Sequence, residues 1–249
     1  MFSRDEFLDF CGPLASRTPR QGDDYFAPHH ARLWTLYQVA AGSIPPSGAT
    51  FVSVGAGSAY VEAALVASCS AVGVVVDLPE VVAEMRAYYE DCNLVPHAAE
   101  LSQSTPLALQ GVPPADLVIS AEIVEHLPSP PSQHFSTLRP LLRSTGTLLV
   151  ATPNAGSLRN ALKTLLQRPL LPPAERTFGP VSVENEGVHR REYVAKEIEA
   201  ALRSAGYTPA STKYVSYRVN KFRSGLLLPL EGPVPYWREG LVLTATLAP

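Results

Sequence analysis

From Thr50 onward the chain alternates short apolar, β-branched runs with segments of helical periodicity, and this rhythm leaves few folds open to it. The runs are residues 50–54 (TFVSV), 71–77 (AVGVVVD), 94–99 (LVPHAA), 116–120 (DLVIS) and 146–152 (GTLLVAT), with helices predicted over 59–69 and 80–92. Strands that are apolar at successive positions need cover on both faces, and a helix between strands makes each connection a crossover. Together these predict an α/β domain with a doubly wound, mostly parallel sheet. Later, 157–168 carries an apolar stripe (Leu158, Ala161, Leu162, Leu165, Leu166) and 193–207 reads as a helix stopped by Gly206. Residues 211–219 and 241–247 read as strands. Residues 1–48 close on the breaker SIPPSGA and place Leu33, Leu36, Tyr37 and Ala40 at helical spacing, which predicts an N-terminal helical cap. The expected organisation is a cap over 1–48 and one domain over 49–249, with irregular insertions near 168–190 and 218–240.

Composition removes whole classes of function. Twenty Lys and Arg against 23 Asp and Glu give a net charge of −3, and 46% of the 249 residues are hydrophobic, so charge-driven disorder is excluded. A polyanion-binding surface of clustered bases is disfavoured too, and no nucleic-acid partner is expected. The balance hides a skew: residues 1–136 hold 5 basic and 15 acidic side chains, residues 137–249 hold 15 and 8. The 24 prolines fall in short groups that punctuate elements. The N-terminus lacks a signal peptide's basic flank and apolar run, and no apolar stretch reaches the roughly 18 residues of a membrane span, so a cytoplasmic location is expected. Cys11, Cys69 and Cys92 are odd in number and widely spaced, as reduced thiols are.

The first strand runs directly into Gly55-Ala56-Gly57 and then a helix. Glycines here let the backbone approach a ligand at the strand's carboxyl end. Asp77 follows 22 residues after Gly55, at the tip of the second strand, where a carboxylate can accept both hydroxyls of a ribose. The same residue also fits a helix N-cap before Pro79. Where a dinucleotide site wants a third glycine, position 60 is Tyr, which disfavours a pyrophosphate and with it a nicotinamide or flavin oxidoreductase. A nucleoside without a diphosphate fits better, and S-adenosylmethionine is the common one.

The glycine turn, Asp77, ADLVISAEIVEHLP, TGTLLVATPN and HRREYVAKEIEAALRSAGY, in that order over about residues 50–217, resemble the class I S-adenosylmethionine-dependent methyltransferases. The EIVEHLP, ATPN and HRREY segments resemble bacterial members encoded with surface-glycan genes. The resemblance implies that Gly55, Ala56 and Gly57 pass under the methionine part of the cofactor, that Asp77 holds the ribose with Leu78 beside the adenine, and that Glu100 meets the adenine amino group. Tyr60 and Ala121 complete the expected cofactor-binding set. Two positions depart from the family pattern: Ser53 stands where an acid is usual, and Ala59 where a third glycine is usual. Loss of the acid removes a partner for the methionine amino group. That departure motivates one alternative, a cofactor-binding regulatory or assembly protein that no longer methylates.

Methyl transfer from a sulfonium is an in-line displacement that the protein chiefly aligns, but a hydroxyl acceptor must also lose a proton to a base or a metal. Glu122, Glu125 and His126 stand at i, i+3 and i+4, so a helical turn there would put all three on one face. With His189 from EGVHRREY they make a candidate Mg²⁺ or Mn²⁺ set, and Glu-x-x-Glu-His with a distant His-x-x-Glu also resembles the metal site of small-RNA 2′-O-methyltransferases. His126 and His189, with Glu122 beside them, are equally candidates for general base catalysis, and purely structural roles stay open. The expected acceptor is a small molecule, first a sugar or other hydroxylated metabolite, then an amine. Arg190, Arg191, Lys213, Arg218, Lys221 and Arg223 leave room for an anionic sugar derivative, and Tyr25, Phe26, His29, His30, Trp34, Phe178, Tyr236 and Trp237 offer stacking surface. The oligomeric state is not legible.

Overall fold

In the computed structural model, residues 1–20, 22–100, 109–178, 187–216 and 234–249 are described. The predicted strands form one seven-stranded sheet: β1 (Thr50–Val54), β2 (Val72–Asp77), β3 (Leu94–Ala98), β4 (Ala115–Ala121), β5 (Leu142–Pro153), β6 (Tyr207–Val215) and β7 (Gly240–Leu247), in the spatial order β3-β2-β1-β4-β5-β7-β6. The first five are parallel, and β7 runs antiparallel between β5 and β6.

The helices α1 (Arg4–Ala15), α2 (Asp23–Ala41), α3 (Tyr60–Cys69), α4 (Pro79–Asp91), α5 (Pro131–Leu138), α6 (Leu158–Leu165), α7 (Ala174–Thr177) and α8 (Ala195–Ser204), with short 3-10 turns at Arg139–Leu141 and Pro235–Trp237, complete the described elements. Successive side chains of a strand point to opposite faces, and β1 feeds two cores in this way. Phe51 joins Phe7, Tyr37, Leu65 and Met85 under α1–α4, while Val52 and Val54 join Phe135, Leu138, Ile198 and Leu202 under α5 and α8. Each such large side chain contributes about 1.5–3 kcal/mol by leaving water. Phe51 has taken the room of its cross-strand neighbour: a Cβ on Gly73 would lie 2.1 Å from its ring.

The cap is part of this body, since α1 and α2 share the first core with the sheet. Helix α1 starts on a capping box between Ser3 and Glu6. Helix α5 begins with Pro131 at its first position, where a proline costs no hydrogen bond; the proline run there marks a helix start as well as a loop. The stripe on α6 is only partly covered, with Leu165 and Leu166 exposed. Gly206 takes φ +79° directly after α8, as the stop requires. At the lower edge, Thr50 donates from both its N–H and hydroxyl to Asp116 of β4, 66 residues away, and Asp116 in turn pairs with Arg143 of β5. Strand order reverses between β1 and β4, so the crevice beyond the carboxyl ends of β1, β2, β4 and β5 is where a ligand belongs in such a sheet. Among the described residues no helix is long and apolar enough to cross a membrane.

Candidate active site

Beyond Val54 the chain turns sharply, with Gly55 at φ +65° and Gly57 at φ +52°. A Cβ on Gly55 would lie 2.0 Å from Ile123 Cδ1, so this glycine lets the turn and the loop after β4 meet. Asp77 accepts the N–H groups of Gly57 (3.2 Å) and Leu78 (2.9 Å), while α4 has no side-chain cap; the acid ties two strand ends together. Tyr88 and Tyr89 hold the turn from outside by donating to the carbonyls of Ser58 and Gly57. Tyr60 is buried with its ring 5.1 Å from that of Phe26, joining the turn to the cap. A cavity of about 510 Å³ opens over these residues, a size that suits a small ligand. Gly55, Ala56, Gly57, Tyr60, Asp77, Leu78, Glu100 and Ala121, the whole expected cofactor set, line it together.

The expected helical turn at Glu122 does not form. Residues 122–126 make a tight turn with Glu122 at φ +57°, a conformation seldom tolerated by a side-chain-bearing residue, and Glu122 turns away while Glu125 Oε1 and His126 Nε2 stay 3.8 Å apart. Glu122 pairs with Arg32 of α2, whose guanidinium also donates to the Tyr25 hydroxyl, so the cap reaches into the cavity. Glu125 lies behind the wall: Oε2 accepts from Thr152 Oγ1 at 3.0 Å, and Oε1 has no hydrogen-bond partner among the described residues. Burial, and then the charge of Glu122, push its carboxyl well above the usual range. Its backbone carbonyl accepts from Arg190 N (2.7 Å) and Arg191 N (3.3 Å), which brings the segment before α8 against this turn.

That contact brings the two histidines together, with ring centroids 4.9 Å apart. His126 Nδ1 lies 3.0 Å from the Val188 carbonyl, so the proton sits on Nδ1, and burial keeps the ring below its ordinary pKa and neutral at pH 7. His189 Nδ1 lies 3.2 Å from Glu192 Oε1, and Glu192 Oε2 accepts from Asn160 of α6 at 2.6 Å. Burial works against the Glu192 charge, yet these hydrogen bonds bring its carboxyl below the usual range. Glu122, His126 and His189 line the cavity, and ligand atoms of Glu125, His126 and His189 lie within 4.8 Å of one another. Glu122 faces Arg32 and stands apart from that group.

A sequence profile of a methyltransferase domain matches residues 25–212, which span the glycine turn, Asp77 and both histidines. The chain belongs to the family of methyltransferase domains. The pyocyanin biosynthetic protein PhzM shares the fold at 15% identity and a TM-score of 0.57, over 95% of this chain and 61% of that one. An O-methyltransferase family 2 protein from Planctomyces limnophilus, solved with apigenin, matches at 16% and 0.56 over 100% of this chain and 62% of its own. An S-adenosylmethionine-dependent methyltransferase from Mesorhizobium loti matches at 16% and 0.56, over 84% and 96%. The chain thus spans about three fifths of the length of the first two. At such identities the likeness is one of fold. No curated protein matches the sequence.

Several groups at the site carry little or no signal in the sequence. Arg32 is a buried charge on a cap helix, and Asn160 a buried amide on α6. Glu192 is visible there only as the end of His-x-x-Glu. Glu62 is an acid in the otherwise apolar first turns of α3, and its carboxylate accepts from Ser53 Oγ at 2.6 Å. The bases expected to meet an anion are placed differently: Arg190 donates to the Thr177 carbonyl, Arg191 pairs with Glu197 over the Tyr193 ring, and neither lines the cavity, nor does Lys213. Arg218, Lys221 and Arg223 lie outside the described residues. From the basic half of the chain it is Arg159, exposed on α6, that reaches the cavity rim among the described residues.

Proposed function

We propose that this methyltransferase transfers the methyl group of S-adenosylmethionine to a hydroxyl oxygen of a small molecule, such as a sugar or another hydroxylated metabolite, with His189 as general base. The observation that carries the reading is the Asn160–Glu192–His189 relay on the wall of the cavity that also holds the glycine turn and Asp77. An acid on Nδ1–H fixes the tautomer, leaves Nε2 as the acceptor of a proton, and stabilises the imidazolium once formed. In the step itself the acceptor oxygen attacks the methyl carbon, the carbon–sulfur bond breaks with its electrons going to sulfur, and the hydroxyl proton passes to His189 Nε2. S-adenosylhomocysteine and the methyl ether are the products.

On the cofactor side, Asp77 is the group for the ribose hydroxyls, and Gly55 to Gly57 give the backbone approach. On the acceptor side, Tyr25 and His29 stack 4.5 Å apart at the cavity wall, a flat surface for a ring, and Arg159 supplies a charge for an anionic substituent. A second reading assigns the proton's removal to a divalent ion held by Glu125, His126 and His189. The buried, unpartnered Oε1 of Glu125 favours it, since such an oxygen is costly unless it meets a proton or a cation. Bound there, Mg²⁺ or Mn²⁺ would lower the pKa of an acceptor hydroxyl.

The test is turnover of labelled S-adenosylmethionine on matched panels of alcohols and amines, with and without chelator. O-methyl products that persist under chelation are expected. Turnover of amines alone overturns the oxygen reading, activity lost on chelation and restored by Mg²⁺ or Mn²⁺ transfers the role to the metal, and cofactor binding with no turnover leaves a non-methylating protein.

A further inference from the structure

One buried group on the cofactor side has no place in the chemistry above. Glu62 is 5% exposed, sits in the first turn of α3 among Val61, Ala63, Ala64 and Leu65, and lines the cavity together with Ser53. Its carboxylate accepts from Ser53 Oγ and from its own backbone N–H, and no arginine, lysine or histidine pairs with it among the described residues. Burial, reinforced by the charge of Asp77, holds this carboxyl above its ordinary range. A hydrophobic residue in such a place stabilises a helix better than an acid that has left water without a counter-charge. The acid is therefore explained by what enters the cavity rather than by what packs around it. The required partner is a small cation able to donate hydrogen bonds at the glycine turn, and Lys and Arg side chains do not supply it.

We propose that Glu62, steadied by Ser53, binds the α-ammonium group of S-adenosylmethionine's methionine part, so that the acid absent from the end of β1 is delivered from the adjoining helix nine residues later. The proposal rests on S-adenosylmethionine being the ligand of this cavity. The Ser53 hydroxyl then fills the gap between strand and helix and keeps the carboxylate turned to the cavity. A strand-end acid would hold the same charge on a shorter tether, and the Ser53–Glu62 pair is its two-residue equivalent.

A ligand-and-protein cycle tests this. Calorimetry would compare S-adenosylhomocysteine with the analogue in which hydrogen replaces the α-amino group, on wild type and on Glu62→Gln, a variant that retains size and a hydrogen bond to Ser53. Wild type should bind S-adenosylhomocysteine about ten- to a hundredfold more tightly than the deaminated analogue, the range of a hydrogen bond to a charged group. Glu62→Gln should bind both alike, at the affinity wild type has for the analogue. Thermal melting checks its folding, and Glu62→Met replaces it if the amide does not fold. A variant that keeps the full preference for the amine, or a wild type with no preference, overturns the proposal. A wild type that binds neither ligand at millimolar concentration overturns the cofactor reading beneath it, which separates the two failures.

Discussion

The two walls of the cavity are built by different means. The wall proposed for the cofactor is made of strand ends and backbone: Gly55 to Gly57, Asp77 and Leu78 are fixed by main-chain N–H groups and by tyrosines that grip the turn from behind. The wall proposed for the acceptor is assembled from side chains on four separate segments, with Arg32 and Tyr25 from the cap, Glu122 and His126 from the turn after β4, Asn160 from α6, and His189 and Glu192 from the stretch before α8. Chemistry shared by a family can be written in backbone geometry, which tolerates wide sequence change. Chemistry particular to one acceptor is written in long-range side-chain pairs, which any neighbouring substitution can redraw.

If this contrast holds, changes on the two walls separate rate from cofactor affinity. His189→Ala should lower kcat about a thousandfold with S-adenosylhomocysteine affinity within a factor of about two, the magnitude of a lost general base. An equal loss of affinity, measured by calorimetry, breaks the division. Asp77→Ala should act in reverse, weakening S-adenosylhomocysteine binding about a hundredfold as charged hydrogen bonds to ligand and turn are lost together. A pH profile has to be read against the fold as well, because His134, buried against Ser120 behind β4, is held by burial at a pKa of about 4. Its folded-state pKa lies below the unfolded value of about 6.5, so its neutral form stabilises the protein above that pH, and the stability drains as pH falls from 6.5 toward 4. Denaturant titration should show about 2 kcal/mol lost to this group between pH 7 and pH 5, a slope absent in His134→Asn. The smallest effect belongs to Gly55→Ala: its φ of +65° costs about 1 kcal/mol with any side chain, and Ile123 Cδ1 must swing aside. Thermal melting reads the first, and cofactor affinity reads the second.

The same contrast explains what can be read from the sequence. The inner parallel strands β1 and β4 are legible because both faces are covered and each is a nearly unbroken apolar run, whereas β3 at the sheet edge is mostly open; Phe51 and Val52 serve opposite cores yet look alike in one dimension. The glycine turn and Asp77 are legible because local backbone geometry demands those residue types at that spacing. Helix α5 is obscured by its own Pro131, which also serves as a loop signal. Spacing alone puts Glu122, Glu125 and His126 on a helical face, because it cannot show that Glu122 takes a left-handed conformation and turns toward Arg32, 90 residues earlier. The pairing of Glu192 with Asn160 is invisible for the same reason, since it depends on α6 and the segment before α8 lying side by side.

The clamp at the foot of the sheet bears on how such a protein comes into being. Thr50 and Asp116 are 66 residues apart, and β1 has β4 as one of its two neighbours, so the central strand stays half-paired until β4 has been made. Closing that span costs entropy before any contact repays it, and sheets of this kind fold slowly for that reason. During synthesis, Phe51, Val52 and Val54 wait exposed with an open edge on the β4 side, and the crevice between β1 and β4 has no second wall until that strand arrives.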